Sequence, residues 1–281
     1  MRKLPKNFYQ EGQTLLIILL ILAVILTVGL STISSSITDI KITKQTEEAT
    51  RAFYVAESAL EERLILPLQA QPLETGSIGG IGYEVAKTGL GGEEFLFPFQ
   101  TNSGEPQIVW LVGHDEQGQI TLSEKYNGPV TFYWGNQDTS EKPALMVSYI
   151  YTEGGAYKIS RYNFDPDAGR RSSNNFDPAS TGSYPIGGKI LKYSASIPNL
   201  PRGGGIQPYF LKLTLIYNSS PQFLGVKATS SPYLPTQGFC FTSTATVAES
   251  GITRKIKQCK LWENLPNIFY WGLYSGGNLE K

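Results

Sequence analysis

The single histidine of this 281-residue chain, His114, is followed directly by Asp115 at the end of the apolar run QIVWLV (107–112). A histidine beside a carboxylate is the equipment of general-base catalysis. Adjacent residues on a strand point to opposite faces, however, so this adjacency does not build a dyad. No GxSxG nucleophile elbow accompanies it, and Ser275 in GLYSGG (272–277) does not supply one. The expectation is a surface loop pair, no catalytic residue and no enzyme. One histidine also argues against histidine-rich zinc sites. The glycines of GGxGxxxxxxGLGG (79–92) follow no expected strand and open no helix, so they do not form a phosphate-binding loop. No cofactor is expected.

Two further groups carry candidate chemistry. The stretch NFDPDAGRRSSNNFDPAS (163–180) repeats NFDP and brings Asp165, Asp167, Asn174, Asn175 and Asp177 close in sequence. These oxygens are a weak Ca²⁺ candidate, with Asp165, Asp167 and Asp177 as its carboxylates, but no Glu closes the loop as an EF-hand requires. Asn, Asp and Pro are also ordinary turn residues, so the favoured expectation is a solvated hairpin loop with Arg170 and Arg171 at its tip. The two cysteines give a sharper inference. FCFTSTATV (239–247) and ITRKIKQCKLW (252–262) flank the turn-like Ala248-Glu249-Ser250-Gly251. A hairpin closed between Val247 and Ile252 pairs residues whose numbers sum to 499, which sets Cys240 opposite Cys259 at a non-hydrogen-bonded pair. A disulfide fits there and is expected to form only outside the cytoplasm; the alternative is two buried thiols.

The elements that position these groups divide the chain unevenly. Lys and Arg (24) balance Asp and Glu (24), and only 17% of residues are charged. A neutral chain is poorly equipped to neutralise phosphates, so nucleic acid is not an expected partner. Between Glu11 and Asp39 no residue is charged, and Leu15–Leu30 reads LLIILLILAVILTVGL. A helix over Gln13–Thr38 reaches about 39 Å, enough to cross a hydrocarbon core of ~30 Å. Leu15, Ile17, Leu20, Val24 and Leu30 form its transmembrane core, with the span placed at about 13–36. Arg2, Lys3 and Lys6 ahead of it predict a cytoplasmic N-terminus and an extracytoplasmic remainder. The apolar run exceeds a secretory h-region and no break follows it, so cleavage after it is not expected.

Nothing in DIKITKQTEEATRAFYVAESALEERLILP (39–67) breaks a helix before Pro67. Ala49, Ala52, Phe53, Ala56, Leu60 and Leu64 recur at three- and four-residue spacing and predict one apolar stripe, while Glu47, Glu48, Arg51 and Glu61–Arg63 cover the rest. A continuous helix over 13–66 is thus about 80 Å long, with Gly29 and Ser34–Ser36 as the places where it would bend or melt.

KNFYQEG-QTLLIILLILAVILTVGL (6–30), followed by ATRAFYVAESALEE (49–62), resembles the N-terminus of type IV pilin-like proteins, most closely minor pilins and tip-type pseudopilins. The resemblance covers roughly residues 1–66. It implies that prepilin peptidase cuts on the cytoplasmic side between Gly12 and Gln13, and that Gln13 is then methylated. Major pilins usually begin the mature chain with Phe or Met and carry Glu at its fifth position, where this chain has Gln13 and Ile17. That Glu is thought to pair with a neighbour's N-terminal amine, so Ile17 fits a tip or priming subunit. The partners implied are other pilins or pseudopilins, prepilin peptidase and the lipid bilayer. The location implied is the cytoplasmic (inner) membrane, single-pass, with later assembly into a surface filament. The alternative function is a single-pass anchored extracellular binding or adhesion domain with no filament role.

The expected organisation is a basic leader (1–12), a long helix (13–66) and an extracytoplasmic β-rich domain (67–281). QAQPLETGSIGGIG (69–82) marks the helix exit. Strands are expected at 81–86, 107–112, 119–124, 129–134, 144–151, 156–164, 188–196, 208–218, 223–230, 239–247 and 252–262. PNLPRGGGIQP (198–208) is expected as an exposed loop, and the aromatic segment of Phe269, Tyr270, Trp271 and Tyr274 as packing on the sheet. The fold class is α+β: an antiparallel sheet of about ten strands, one face covered by the amphipathic half of the helix.

Overall fold

The computed structural model describes residues 11–65, 73–115 and 117–263. The expectations for the leader before Glu11, for Pro67, and for Phe269, Tyr270, Trp271, Tyr274 and Ser275 lie outside them. The described chain is α+β. Helix α1 (Glu11–Ile65) is followed by β1 (Leu73–Ile78), β2 (Ile81–Gly92), β3 (Glu94–Leu96), β4 (Pro106–Trp110), β5 (Val112–His114) and β6 (Ile120–Lys125). Next come β7 (Val130–Asn136), β8 (Ala144–Glu153), β9 (Ala156–Asp165), the short helix α2 (Ala168–Asn174), β10 (Asp177–Pro178) and β11 (Ser180–Ile186). The chain continues through β12 (Lys189–Ile197), β13 (Ile206–Ile216), β14 (Leu224–Ala228), β15 (Leu234–Thr246) and β16 (Thr253–Leu261).

Where an antiparallel sheet of about ten strands was expected, the described residues form three sheets. The largest has the order β11-β12-β7-β14-β3-β2-β15-β16, with β1 beside β2. A five-stranded sheet runs β10-β9-β8-β13-β4, and β5 pairs with β6. The assigned pairs are antiparallel, apart from the short parallel bridge between β10 and β9. The two larger sheets form because alternation in both strand sets turns large side chains toward one shared core. β7 contributes Val130, Phe132 and Trp134; β8 contributes Leu145, Val147 and Tyr149; β13 contributes Leu211, Leu213 and Leu215. Polar tips in this core find backbone acceptors: Trp134 Nε1 donates to Pro143 O at 2.8 Å, and Tyr149 Oη to Pro201 O at 3.2 Å.

The chain divides into two compact units. One holds the helix through Ala59 with Thr75–Glu84 and Ser243–Ile256; the other holds Leu60–Glu74, Val85–Thr242 and the chain from Lys257. In the first unit Ala52, Val55 and Ala56 of α1 pack on Ile81, Tyr83, Ala245, Val247 and Ile256. Small residues let the helix backbone sit close to the strands, and the β-branched Val55 fills beside them. The buried stripe is Glu48, Ala49, Ala52, Val55, Ala56, Ala59 and Leu60, rotated from the one expected. Phe53 stays 43% exposed, and Glu48 is turned inward within 3.6 Å of Lys44. Ala49, Ala52, Ala56 and Leu60 of the expected stripe are buried, whereas Phe53 lies beside it and Val55 and Ala59 take part in its place.

Helix α1 is unbroken at Gly29 and at Ser34–Ser36. Hydroxyls in this region fold back onto carbonyls of their own helix. Thr27 Oγ1 donates to Val24 O at 2.9 Å, Thr32 Oγ1 to Val28 O at 2.9 Å, Ser35 Oγ to Ser31 O at 3.1 Å and Thr38 Oγ1 to Ser34 O at 2.9 Å. These four hydroxyls are satisfied within the helix and leave its ladder intact.

Candidate functional site

The most extensive candidate surface is the first half of α1. Residues 14–47 are exposed along the whole cylinder apart from the half-buried Gly29. Leu15 is 63% exposed, Ile17 54%, Leu20 60%, Val24 52% and Leu30 63%. A fully exposed Leu or Ile forgoes about 1.5–3 kcal/mol of transfer free energy, so a surface of this extent requires lipid or other apolar helices around it. The most apolar 18-residue window has a mean hydropathy of 2.9, and the helix is long and apolar enough to cross a membrane once. Gly12 and Gln13 fall within the first turn of α1.

Where charge resumes, α1 borders an open groove of about 470 Å³ formed with Arg254. Ile42, Thr46, Ala49, Phe53 and Tyr54 line it, and the Phe53 and Tyr54 rings meet edge to face at 6.1 Å. Sequence reasoning had assigned Phe53 to the buried stripe and gave Tyr54 and Arg254 no role. The adjacent aromatics Phe53-Tyr54, only one of which fits a single stripe, were the available signal.

The cysteine hairpin has the register expected. Val247 N donates to Ile252 O at 2.9 Å, the Thr246 and Thr253 hydroxyls meet at 3.0 Å, and Trp262 N donates to Gln237 O at 3.0 Å. Each pair sums to 499. Cys240 and Cys259 form a disulfide with Cα atoms 3.9 Å apart, the close approach of a non-hydrogen-bonded pair.

Asp165, Asp167 and Asp177 are not gathered into a cation site, and the described residues contain no cluster of three metal-ligating side chains. Asp165 is fully buried and saturated by protein donors. Arg170 reaches it through Nη2 at 2.7 Å and Nε at 3.0 Å, Asn174 Nδ2 at 2.8 Å and the Asp167 amide at 2.8 Å. Burial raises the Asp165 pKa, but the Arg170, Asp167 and Asn174 hydrogen bonds outweigh it and hold the carboxyl below its usual range. Asp167 caps α2 through the Gly169 and Arg170 amides and pairs with Lys142 at 3.0 Å, while Asp177 lies exposed in β10. The expected hairpin loop is therefore a capped helix, and Arg170 folds back under it instead of marking a tip. Helix α2 buries no residue, so it left no periodic trace in the sequence.

His114 stacks on Trp262 with ring centroids 4.9 Å apart and meets Trp110 edge-on at 4.7 Å. Burial lowers its pKa more than Asp115 raises it. The Asp115 carboxylate instead accepts from the Gln117 and Gln119 amides, closing the β5–β6 turn. The glycine run of 79–92 does follow a strand, β1, but opens none of the helices. Gly79 and Gly80, at φ 56° and 79°, are the two-residue turn into β2. In the 198–208 loop Leu200 is buried and Pro201 O receives Tyr149, so the loop is tethered at its start. A clamp that the sequence did not suggest is Glu141, which accepts from the Ser219 and Ser220 amides and hydroxyls and from Gln222 Nε2 at 2.8 Å. The two hydroxyls contribute most to holding its carboxyl down at about 2.

Comparison with protein-family models, curated proteins and solved structures finds no match to this chain.

Proposed function

We propose that this chain is a minor pilin or pseudopilin, a non-enzymatic subunit at or near the tip of a type IV pilus or type II secretion-like filament. One observation carries the reading. A single helix is bare and apolar over residues 14–38, and without interruption becomes a helix whose alanine face is covered by strands of its own chain. A simple anchor needs only the first half. A subunit that leaves the bilayer for a bundle of helices needs the two halves rigidly continuous, so that the apolar half exchanges lipid for neighbouring helices while the β domain is presented outward. The lipid-compatible hydroxyls and the disulfide agree with such a passage from the cytoplasmic membrane to an oxidising exterior.

In this reading prepilin peptidase cuts after Gly12, Gln13 becomes the methylated N-terminus, and Ile17 spares the subunit a carboxylate that a terminal position leaves unpartnered. The partners are other pilins or pseudopilins. Gly12→Val tests it: the variant should keep its leader, remain in the inner membrane and vanish from sheared surface filaments. Unchanged processing of the variant, or an unchanged filament fraction, refutes the assignment and favours an anchored binding domain.

A further inference from the structure

Strand β9 borders the five-stranded sheet, and its outer edge is almost free. The two-residue turn Gly154-Gly155, at φ 59° and 84°, closes the β8–β9 hairpin with Glu153 opposite Ala156. In such a hairpin the closing pair is hydrogen-bonded and the pair types alternate along the ladder. Even-numbered residues from Ala156 onward therefore bond β8, and odd-numbered residues turn their N–H and C=O outward. Asp165 obeys this rule, since its carbonyl accepts from Ala179 N on the outer side at 3.4 Å. β10 covers β9 only at Phe164 and Asp165. Among the described residues, Tyr157, Ile159 and Arg161 are thus left with three donors and three acceptors along an open edge.

The same three residues share one face. Tyr157 is 75% exposed with its ring 5.8 Å from that of Tyr209, and Ile159 is 54% exposed. Arg161 has no carboxylate within ion-pair distance among the described residues. Lys158, the usual kind of edge guard, is held by Glu153.

We propose that β9 pairs antiparallel with β9 of a second copy of this chain about a two-fold axis at Ile159, so that partner numbers sum to 318. This register joins all six free N–H groups of the two edges to all six free C=O groups and calls on no others. Ile159 faces Ile159 of the second copy, Tyr157 lies under Arg161 as a cation–π pair in both directions, and Lys158 falls beside Ser160. The neighbouring registers are poorer. A sum of 316 opposes Lys158 to itself, and a sum of 320 sets Arg161 against Ile159 and runs Tyr157 into Asn163, where β10 begins. One edge pair buries far less than the ~1,600 Å² of a standard interface, so the association is weak in bulk solution. Anchoring both copies in one bilayer raises their effective concentration and makes it observable there.

The test uses the full-length chain in membranes. Both native cysteines are tied in the disulfide, so an introduced cysteine is the sole free thiol. Ile159→Cys, Ser160→Cys and, on the turn between β15 and β16, Glu249→Cys are oxidised under identical mild conditions. The proposal expects a dimer band several-fold stronger for Ile159→Cys than for the other two. It also expects Tyr157→Cys chains to crosslink to co-expressed Arg161→Cys chains more than either does to itself. Equal bands in all three variants indicate random collision and overturn it, as does a stronger band from Ser160→Cys or no dimer at all. The readout is independent of leader processing, so it stands or falls separately from the filament reading.

Discussion

Replacing both Cys240 and Cys259 with serine removes one covalent constraint while leaving the hairpin ladder in place. The bridge spans 19 residues of sequence separation. In the chain-entropy treatment, closing a loop of that length removes about 11 cal/mol/K from the unfolded ensemble, or about 3 kcal/mol at 25 °C. The hairpin also pairs through backbone bonds, and any pairing that survives unfolding makes this an upper value. For a folded body of this size 1 kcal/mol corresponds to about 2–4 °C in Tm, so the double variant should melt about 6–12 °C lower. The assay is thermal unfolding of the full chain in detergent, followed by tryptophan fluorescence. Trp262 reports well because its Nε1 donates to Thr236 O at 2.6 Å in the strand that carries Cys240. Reductant should move the wild type toward the double variant and leave the double variant unmoved. A shift below about 1 °C contradicts the chain-entropy reasoning, and a shift in the variant on adding reductant shows that its loss was not the bridge.

Arg170→Ala strands the buried Asp165 carboxylate; because Arg170 is itself about a third exposed, the cost should fall near or below the lower end of ~3–5 kcal/mol, with Asp165→Asn in the same chain recovering part of it in urea unfolding. Acid should destabilise the β domain. Hydrogen bonds from Ser219 and Ser220 lower Glu141 from 4.5 to about 2, and the Lys142 hydrogen bond lowers Asp167 from 3.8 to about 2. A depressed folded-state pKa gives stability that is complete above the unfolded value and lost as pH falls through the folded one, so the loss should run from about pH 4.5 down to 2. Glu141→Gln with Asp167→Asn should flatten that slope in pH-dependent melting. Leu22→Arg places a charge near the middle of the apolar span at a cost of about 2.5–3.5 kcal/mol, and should lower the carbonate-resistant membrane fraction relative to Leu22→Ala.

The sequence was most legible where side-chain pattern and backbone period agree. The charge-free run forced a helix, β-rich runs between turn residues located strands such as β7, β8 and β13, and arithmetic across one turn paired the cysteines. It was least legible where structure rests on something other than apolar periodicity. Helix α2 is held by the Asp167 cap and by Arg170 reaching back to Asp165, neither of which leaves a hydrophobic repeat. Strand β11, STGSYPI, pairs through its backbone with β12 although its composition is that of a turn. Dividing the strands among separate sheets depends on long-range partners, as with β13 lying between β8 and β4, and no local window encodes that choice. The expected helix stripe held at Ala49, Ala52, Ala56 and Leu60 and failed at Phe53, because three- and four-residue spacing alone does not fix which side of the stripe meets the strands.

Intact-mass and N-terminal fragment analysis of the chain purified from cells that contain prepilin peptidase tests the filament assignment most directly. The account predicts a mature protein that begins at Gln13, lacks the first twelve residues and carries one added methyl group on its N-terminal amine. A chain that retains Met1 and the intact leader in those cells contradicts it.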